Sequence, residues 1–116
     1  MLENKNSKQY DLEERTFKFA KDTRKFVKKL PKSLSYMEDS KQLIRSSGSV
    51  AANYIEANDS LSKKDFIMRI KICRKESKES ILWLRLIDIS LEERDNLLQE
   101  ATEIMKIFGA ILKKSE

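Results

Sequence analysis

The sequence contains no histidine, one cysteine, one proline and two glycines in 116 residues. The absence of histidine excludes serine–histidine triads, HExxH zinc sites and Glu-x-x-His di-iron sites, and it removes the commonest general base. The scarcity of glycine and proline argues against a turn-rich β fold and for long helices with short connections. Together these absences favour binding or assembly, and we expect the protein not to be an enzyme.

Long apolar runs are also missing. Residues 1–8 lack the apolar core of a signal peptide. The longest uncharged stretch, residues 46–55, is half Ser, Gly and Asn, and it falls well short of the roughly 20 apolar residues that span a bilayer. We therefore expect a cytoplasmic protein with no membrane partner. The lone Cys73 lies on an apolar helical stripe, which predicts a buried structural thiol rather than a nucleophile, a disulfide or a metal ligand.

What the sequence has in abundance is helical periodicity, with 40% hydrophobic and 37% charged residues. Asp11 with Glu14 predicts the start of the first helix, Pro31 its end, and Ser62 with Asp65 the start of the third. The apolar spacing predicts helices at about 11–30, 40–57, 63–90 and 92–113. The sequence is thus typical of one all-α domain over residues 1–116, an antiparallel up-down-up-down four-helix bundle.

The second predicted helix is unusually rich in small residues: Ser46, Ser47, Gly48, Ser49, Ala51 and Ala52. Small side chains let a neighbouring helix backbone approach closely. A glycine inside a helix costs about 1 kcal/mol relative to alanine, so Gly48 predicts a packing reason at that position.

The net charge of +5 is divided unevenly along the chain. Residues 1–34 carry ten Lys/Arg against five Asp/Glu, and residues 62–90 carry eight against four, whereas each remaining segment has a net charge of −2. Basic helix faces can bind phosphates through counterion release, without sequence preference, although lysines on a solvated face can equally serve solubility. The candidate nucleic-acid-binding residues are Lys18, Lys21, Arg24, Lys25, Lys28, Lys32, Lys71, Arg74, Lys75 and Lys78.

Aromatic residues near the first basic stripe are few, with only Tyr10 and Phe17 as exposed candidates for base stacking. This pattern favours binding to the nucleic-acid backbone over sequence readout. Trp83 and Leu86 lie outside the main apolar seam of the third helix, and they widen its stripe beyond what a monomeric bundle must bury. We therefore expect them at a subunit interface, with burial of a wide stripe inside the bundle as the alternative.

Three glutamates could form a metal site: Glu56 on the second helix with Glu76 and Glu79 on the third. A di-metal bundle needs matching carboxylates on other helices and usually histidine. The sequence therefore favours ion pairs between helices over a metal site, and no cofactor is expected. Asn53 borders the apolar face of the second helix, where we expect it to hydrogen-bond across the bundle, with Arg45 and Glu56 as candidate partners on the same helix or across it.

Several segments resemble a known family: Asp11-Leu12, Leu30-Pro31-Lys32, the block QLIRSSGSVAANYIEA at residues 42–57, Asp65-Phe66, Lys75-Glu76 with Glu79, and Trp83-Leu84. Over residues 10–112 the chain resembles the bacterial four-helix-bundle proteins encoded in intervening sequences of 23S rRNA genes. That family also includes the accessory protein of diversity-generating retroelements. Ala57 departs from the pattern, because many relatives have glycine there.

The resemblance implies a homopentamer, arranged as a barrel with a basic surface, and it supplies no catalytic residues. Retroelement members bind nucleic acid and a reverse transcriptase, so RNA, DNA and such a protein are the partners it implies. From residues and resemblance together we expect a homo-oligomeric RNA- or DNA-binding protein, accessory to an RNA- or retroelement-related process. The alternative is a protein-interaction or scaffold module of an unspecified process.

Overall fold

The computed structural model describes the backbone of residues 2–116 and the side chains of residues 12–116. Its helices are α1 (Leu2–Val27), α2 (Leu34–Asn58), α3 (Lys63–Leu86) and α4 (Glu92–Lys114), and no strand occurs within residues 2–116. Each helix packs against the next in the chain and α4 packs against α1, whereas among the described residues neither α1 and α3 nor α2 and α4 are in contact. The all-α prediction is confirmed, and the contacts are those of a four-helix bundle.

The first helix differs from its predicted bounds at both ends. The helical backbone begins at Leu2 and continues through Asp11, so the predicted start at Asp11 is wrong. Residues 2–10 contain neither glycine nor proline, and nothing in that segment stops a helix. The helix ends at Val27 rather than at residue 30, because tight turns from Phe26 to Lys29 and from Val27 to Leu30 precede Pro31. The residue before a proline disfavours helical backbone.

The second helix starts earlier than predicted, at Leu34 instead of Ser40. Its cap is Ser33, whose Oγ accepts a hydrogen bond from the Tyr36 backbone N–H at 3.3 Å, so most of the predicted connection over residues 32–39 is helical. In α3 the predicted cap is confirmed, since Ser62 Oγ accepts from the Asp65 N–H at 3.1 Å. The same helix ends at Leu86 rather than at residue 90.

The core is built from the apolar stripes of all four helices, and its largest fully buried side chains include Phe19, Phe26, Phe108, Leu43, Ile70, Leu84 and Ile104. Cys73 is also fully buried, and its Sγ donates to the Val50 carbonyl oxygen at 3.6 Å. Burial raises the pKa of this thiol to about 12. The predicted burial of Cys73 is confirmed. Among residues 2–116, no helix is both long and apolar enough to cross a membrane.

Small polar side chains line the contact between α2 and α3, which is the most extensive in the bundle. The hydroxyls of Ser46 and Ser80 hydrogen-bond at 2.8 Å, and both residues are fully buried. At Gly48, however, the packing differs from the prediction of a close backbone approach. Beyond the backbone of α2 itself, a Cβ there would meet the Arg24 Nη2 atom at 3.2 Å. A flexible arginine side chain, rather than a helix backbone, occupies the space that Gly48 leaves.

Two buried threonines on α1 provide a matched test of the buried polar groups. Thr16 Oγ1 donates to the Leu12 carbonyl oxygen at 2.9 Å, whereas Thr23 Oγ1 has no hydrogen-bond partner among the described residues. An unpaired buried hydroxyl is destabilising, so Thr23→Val should raise the free energy of unfolding by about 1 kcal/mol. Thr16→Val should lower it by about 1 kcal/mol, because a made hydrogen bond is lost. Urea denaturation checks both values, and equal effects would contradict this assignment.

Candidate nucleic-acid interface

The first basic surface is a groove on α1 that we call the α1 groove. Its volume is about 530 Å³, and it is lined by Glu14, Arg15, Phe17, Lys18, Lys21, Asp22 and Lys25. Lys18, Lys21 and Lys25 follow one another at three and four residues, so the helix presents them on one face. The structure therefore brings three of the predicted basic residues of the first helix together.

The second basic surface lies between α3 and α4, and we call it the α3–α4 groove. It has a volume of about 500 Å³ and is lined by Lys71, Arg74, Lys75, Lys78, Glu79, Leu82 and Leu112. All four predicted basic residues of the third helix are in this list. Gly109 of α4 faces them, since a Cβ at this position would lie 3.7 Å from Arg74 Nε. The arginine thus rests against the neighbouring helix.

The two grooves are separate surfaces, because the described parts of α1 and α3 are not in contact. In a bundle whose neighbours are α1–α2, α2–α3, α3–α4 and α4–α1, the two basic helices occupy opposite corners. Arg24 belongs to neither groove: its Nη1 donates to the Ala20 carbonyl oxygen at 3.0 Å, and its Nη2 lies over Gly48 of α2. Lys28 and Lys32 are exposed beyond the end of α1. The ten predicted residues therefore do not form one continuous interface.

The grooves differ in how many of their cations are already paired. In the α1 groove, Lys18 contacts Asp22 at 2.5 Å, whereas Lys21 and Lys25 have no acidic oxygen within 4.0 Å among the described side chains. In the α3–α4 groove all four basic residues have no acidic oxygen within 4.0 Å among the described side chains. Its one acid, Glu79, is held by Arg45 of α2 at 2.7 Å. The α3–α4 groove is therefore the more electropositive of the two.

Arg15 forms an inter-helix clamp that sequence reasoning missed. Its Nε and Nη2 donate to the two carboxylate oxygens of Glu100 at 2.8 and 2.9 Å, and Nη2 also donates to Glu103 at 2.7 Å. The hydrogen bonds to Glu100 raise the pKa of Arg15 above its ordinary value, and the bond from Arg15 lowers that of Glu103. The sequence offered one signal of this contact, the three-residue spacing that places Glu100 and Glu103 on one face of α4. Only the fold shows that Arg15 of α1 lies opposite that face.

The glutamates considered for a metal site are engaged in ion pairs instead. Arg45 Nη2 lies 3.2 Å from Glu76 Oε1 and 2.7 Å from Glu79 Oε1, which links α2 to α3. Glu76 is buried, with only 9% of its side chain exposed, and its contact with Arg45 is ionic rather than an aligned hydrogen bond. Glu56 contacts Arg69 at 3.9 Å. Among the described residues no group of three potential ligands could hold a metal ion, and the prediction of ion pairs between helices is confirmed.

Asn53 connects α2 to α3. Asn53 Oδ1 accepts from Arg69 Nη1 of α3 at 2.9 Å, so it does bond across the bundle, but not to Arg45 or Glu56.

The two predicted interface residues differ in exposure. Trp83 is half-buried and packs against the core, while Leu86, one turn further on α3, is half-exposed. Only the second of the pair therefore offers a large free apolar surface.

Two comparisons with known proteins produce matches. Residues 8–110 match the sequence model of a family described as 23S rRNA-intervening sequence protein. The fold is similar to the crystal structure of a protein with unknown function from the S23 ribosomal protein family of Bacteroides thetaiotaomicron VPI-5482. The TM-score is 0.75 and the sequence identity 29%, over 88% of this chain and 98% of that one. A search of curated proteins finds no match.

The Arg45 cluster can be tested through stability. Arg45→Met leaves the buried Glu76 carboxylate without its counter-charge, and we expect the free energy of unfolding to fall by about 2 kcal/mol. The matched control is Lys41→Met on the same helix. Lys41 pairs with the exposed Glu38 and with no other acid among residues 12–116, and such surface pairs contribute less than about 1 kcal/mol. Equal losses in chemical denaturation would show that Glu76 does not depend on Arg45.

Proposed function

Because the chain belongs to the 23S rRNA-intervening sequence protein family, we propose that it is a non-enzymatic cytoplasmic protein that binds the RNA or DNA backbone. The observation that carries this proposal is the α3–α4 groove, where Lys71, Arg74, Lys75 and Lys78 converge without acidic partners among the described residues. Phosphates are the ligands for such a surface, because each neutralised phosphate releases condensed counterions.

The groove also fits a ligand that is read by charge rather than by base sequence. Its lysines are flexible point charges, and Arg74 is the one planar donor among the four. Leu82 and Leu112 supply the apolar part of the lining, and no side chain in the groove offers the paired donor and acceptor of an asparagine or glutamine. Contacts to phosphate position a nucleic acid without specifying its sequence. Non-specific binding is therefore the mode that we propose.

We further infer that the helices alternate up-down-up-down in antiparallel order. Inter-helix pairs support this order: Arg45 meets Glu79 whereas Asn53, further along α2, meets Arg69, which is earlier in α3. The same reversal relates α1 to α4, where Arg15 meets Glu100 and Lys29 meets Glu93. The short connections between consecutive helices favour the same arrangement.

Assembly into a homopentamer is the second part of the proposal. It is supported by the resemblance of residues 42–57 to the family pattern and by apolar side chains left in solvent. Leu82 is 46% exposed and Leu86 52% exposed near the end of α3, and Leu34 is 80% exposed at the start of α2. These segments meet at one end of the bundle, where Tyr36 Oη donates to the Asp88 carbonyl oxygen at 3.5 Å. A second copy of the chain would cover them.

The exposed leucines also favour the alternative function, a protein-interaction module. Family members associated with retroelements imply a reverse transcriptase as one such partner and an RNA-related process as the setting. The two functions are compatible, because Leu34 and Leu86 lie outside the lining of the α3–α4 groove, and Leu82 alone belongs to both surfaces. Experiment can separate the two functions, because nucleic-acid binding requires the cations of the α3–α4 groove whereas binding of a protein partner requires the exposed leucines.

The nucleic-acid proposal predicts a salt-dependent interaction that requires the α3–α4 groove. We expect the protein to bind a generic RNA in fluorescence anisotropy at low salt. Replacing Lys71, Arg74, Lys75 and Lys78 by glutamine should weaken binding at least tenfold and reduce the slope of log K against log salt by about 3. The control variant replaces Lys41, Lys63, Lys64 and Lys106 by glutamine. It removes the same charge from exposed lysines outside both grooves.

If the two variants lose affinity equally, net charge rather than the groove drives binding. If the unmodified protein binds no RNA at low salt, the nucleic-acid function is wrong. A protein partner that binds equally well to the groove variant would then favour the interaction module.

The assembly proposal predicts a particle of five 13.6 kDa chains in light scattering. Leu86→Asp should reduce that mass, because a charge at a buried subunit contact is strongly unfavourable. Leu61→Asp is the control: Leu61 is 99% exposed in the connection that precedes α3, and its replacement should leave the mass unchanged. A monomeric unmodified protein would contradict the proposal.

A further inference from the structure

Phe17 is exposed where an aromatic side chain is ordinarily buried. Eight aromatic side chains lie within residues 12–116, and the other seven are buried or half-buried. Phe17 is 57% exposed, although its neighbours Thr16 and Phe19 face the core. Its ring makes no contribution to the apolar core, so the stability of the fold does not explain its presence at this position.

The surroundings of Phe17 are mainly basic, because the α1 groove holds four basic side chains against two acidic ones, Glu14 and Asp22. Phe17 lies in the α1 groove with Lys18, Lys21 and Lys25, and the last two have no acidic partner among the described residues. Lys21 and Lys25 follow Phe17 by one and two helical turns, about 6 and 12 Å along the axis. Arg15, also in this groove, is committed to Glu100 and Glu103 of α4. The groove therefore presents one aromatic face beside two free ammonium groups.

We propose that the α1 groove binds single-stranded nucleic acid, with Phe17 stacking on an unpaired base while Lys21 and Lys25 contact the adjoining phosphates. This inference rests on the proposed function, that the chain binds a nucleic-acid backbone. An aromatic ring beside a row of cations is the combination that single strands require, because every base has a face for stacking and the backbone tracks the charges. In a duplex those faces are already stacked inside the helix.

A protein partner fits this groove less well than a nucleic acid does. Lysine is depleted in the cores of protein interfaces, since burying an ammonium group without a counter-charge is costly. A partner that covered Phe17 would also desolvate Lys21 and Lys25. The phosphates of a nucleic acid would instead neutralise them. The α3–α4 groove has no aromatic residue in its lining. The preference for single strands over duplex therefore belongs to the α1 groove.

The test compares single-stranded and duplex DNA of the same sequence in fluorescence anisotropy. For the unmodified protein we expect tighter binding of the single strand. Phe17→Ala and Phe17→Leu should each weaken single-strand binding about tenfold while changing duplex binding by less than twofold, because leucine keeps apolar volume but not the aromatic face. Phe17→Tyr should restore single-strand binding. The double variant Lys21→Gln and Lys25→Gln should weaken binding of the single strand and reduce its salt dependence, with a smaller effect on the duplex.

Fluorescence gives a direct signature of stacking. In Phe17→Trp, the added emission above that of Trp83 should be quenched when single-stranded DNA binds and unaffected by duplex. Unchanged single-strand affinity in both Phe17→Ala and Phe17→Leu would overturn the stacking role while leaving backbone binding intact. A smaller particle in light scattering for Phe17→Ala would overturn it too, because Phe17 would then be a subunit contact. Absence of binding to either DNA would instead refute the proposed function itself.

Discussion

Each helix of this protein buries its apolar face against two neighbours, and this constraint places α1 and α3 at opposite corners of the bundle. The positive charge of the chain is concentrated on those two helices, so it cannot form one basic face. It forms two grooves, separated on either side by a helix of net negative charge. The geometry of packing therefore decides how the protein presents its charge to a ligand.

Ion pairs between neighbouring helices then determine which cations remain available. The acids of α4 engage Arg15 of α1 and Lys29 just after α1, and Glu76 and Glu79 of α3 engage Arg45 of α2. Pairing of this kind removes charge from the outer surface while it joins the helices. Lys21 and Lys25 of α1 and the four basic residues of the α3–α4 groove are left for a polyanion.

The sequence predicted the four helices, their apolar stripes and the buried thiol, because helical periodicity and burial follow from the order of residues. It misplaced several helix ends. Asp11 has the residue type of a helix cap, but the helix continues through it, and α2 begins six residues before Ser40 because Ser33 provides an earlier cap. A residue type that can cap a helix does not by itself mark a helix end, so the sequence gives candidate ends and the structure shows where each helix begins.

For the candidate site, the sequence by itself determined which residues are basic and that they recur on helix faces. Only the tertiary structure decided that Arg24 turns toward Gly48, that Lys18 is paired, and that Lys21 and Lys25 lie in a different groove from the four basic residues of α3. It also decided that Phe17 stays in solvent while the neighbouring Phe19 is buried. The physical reason is that a helical sequence defines angular positions around one axis, whereas partners and exposure depend on which helices pack beside that axis.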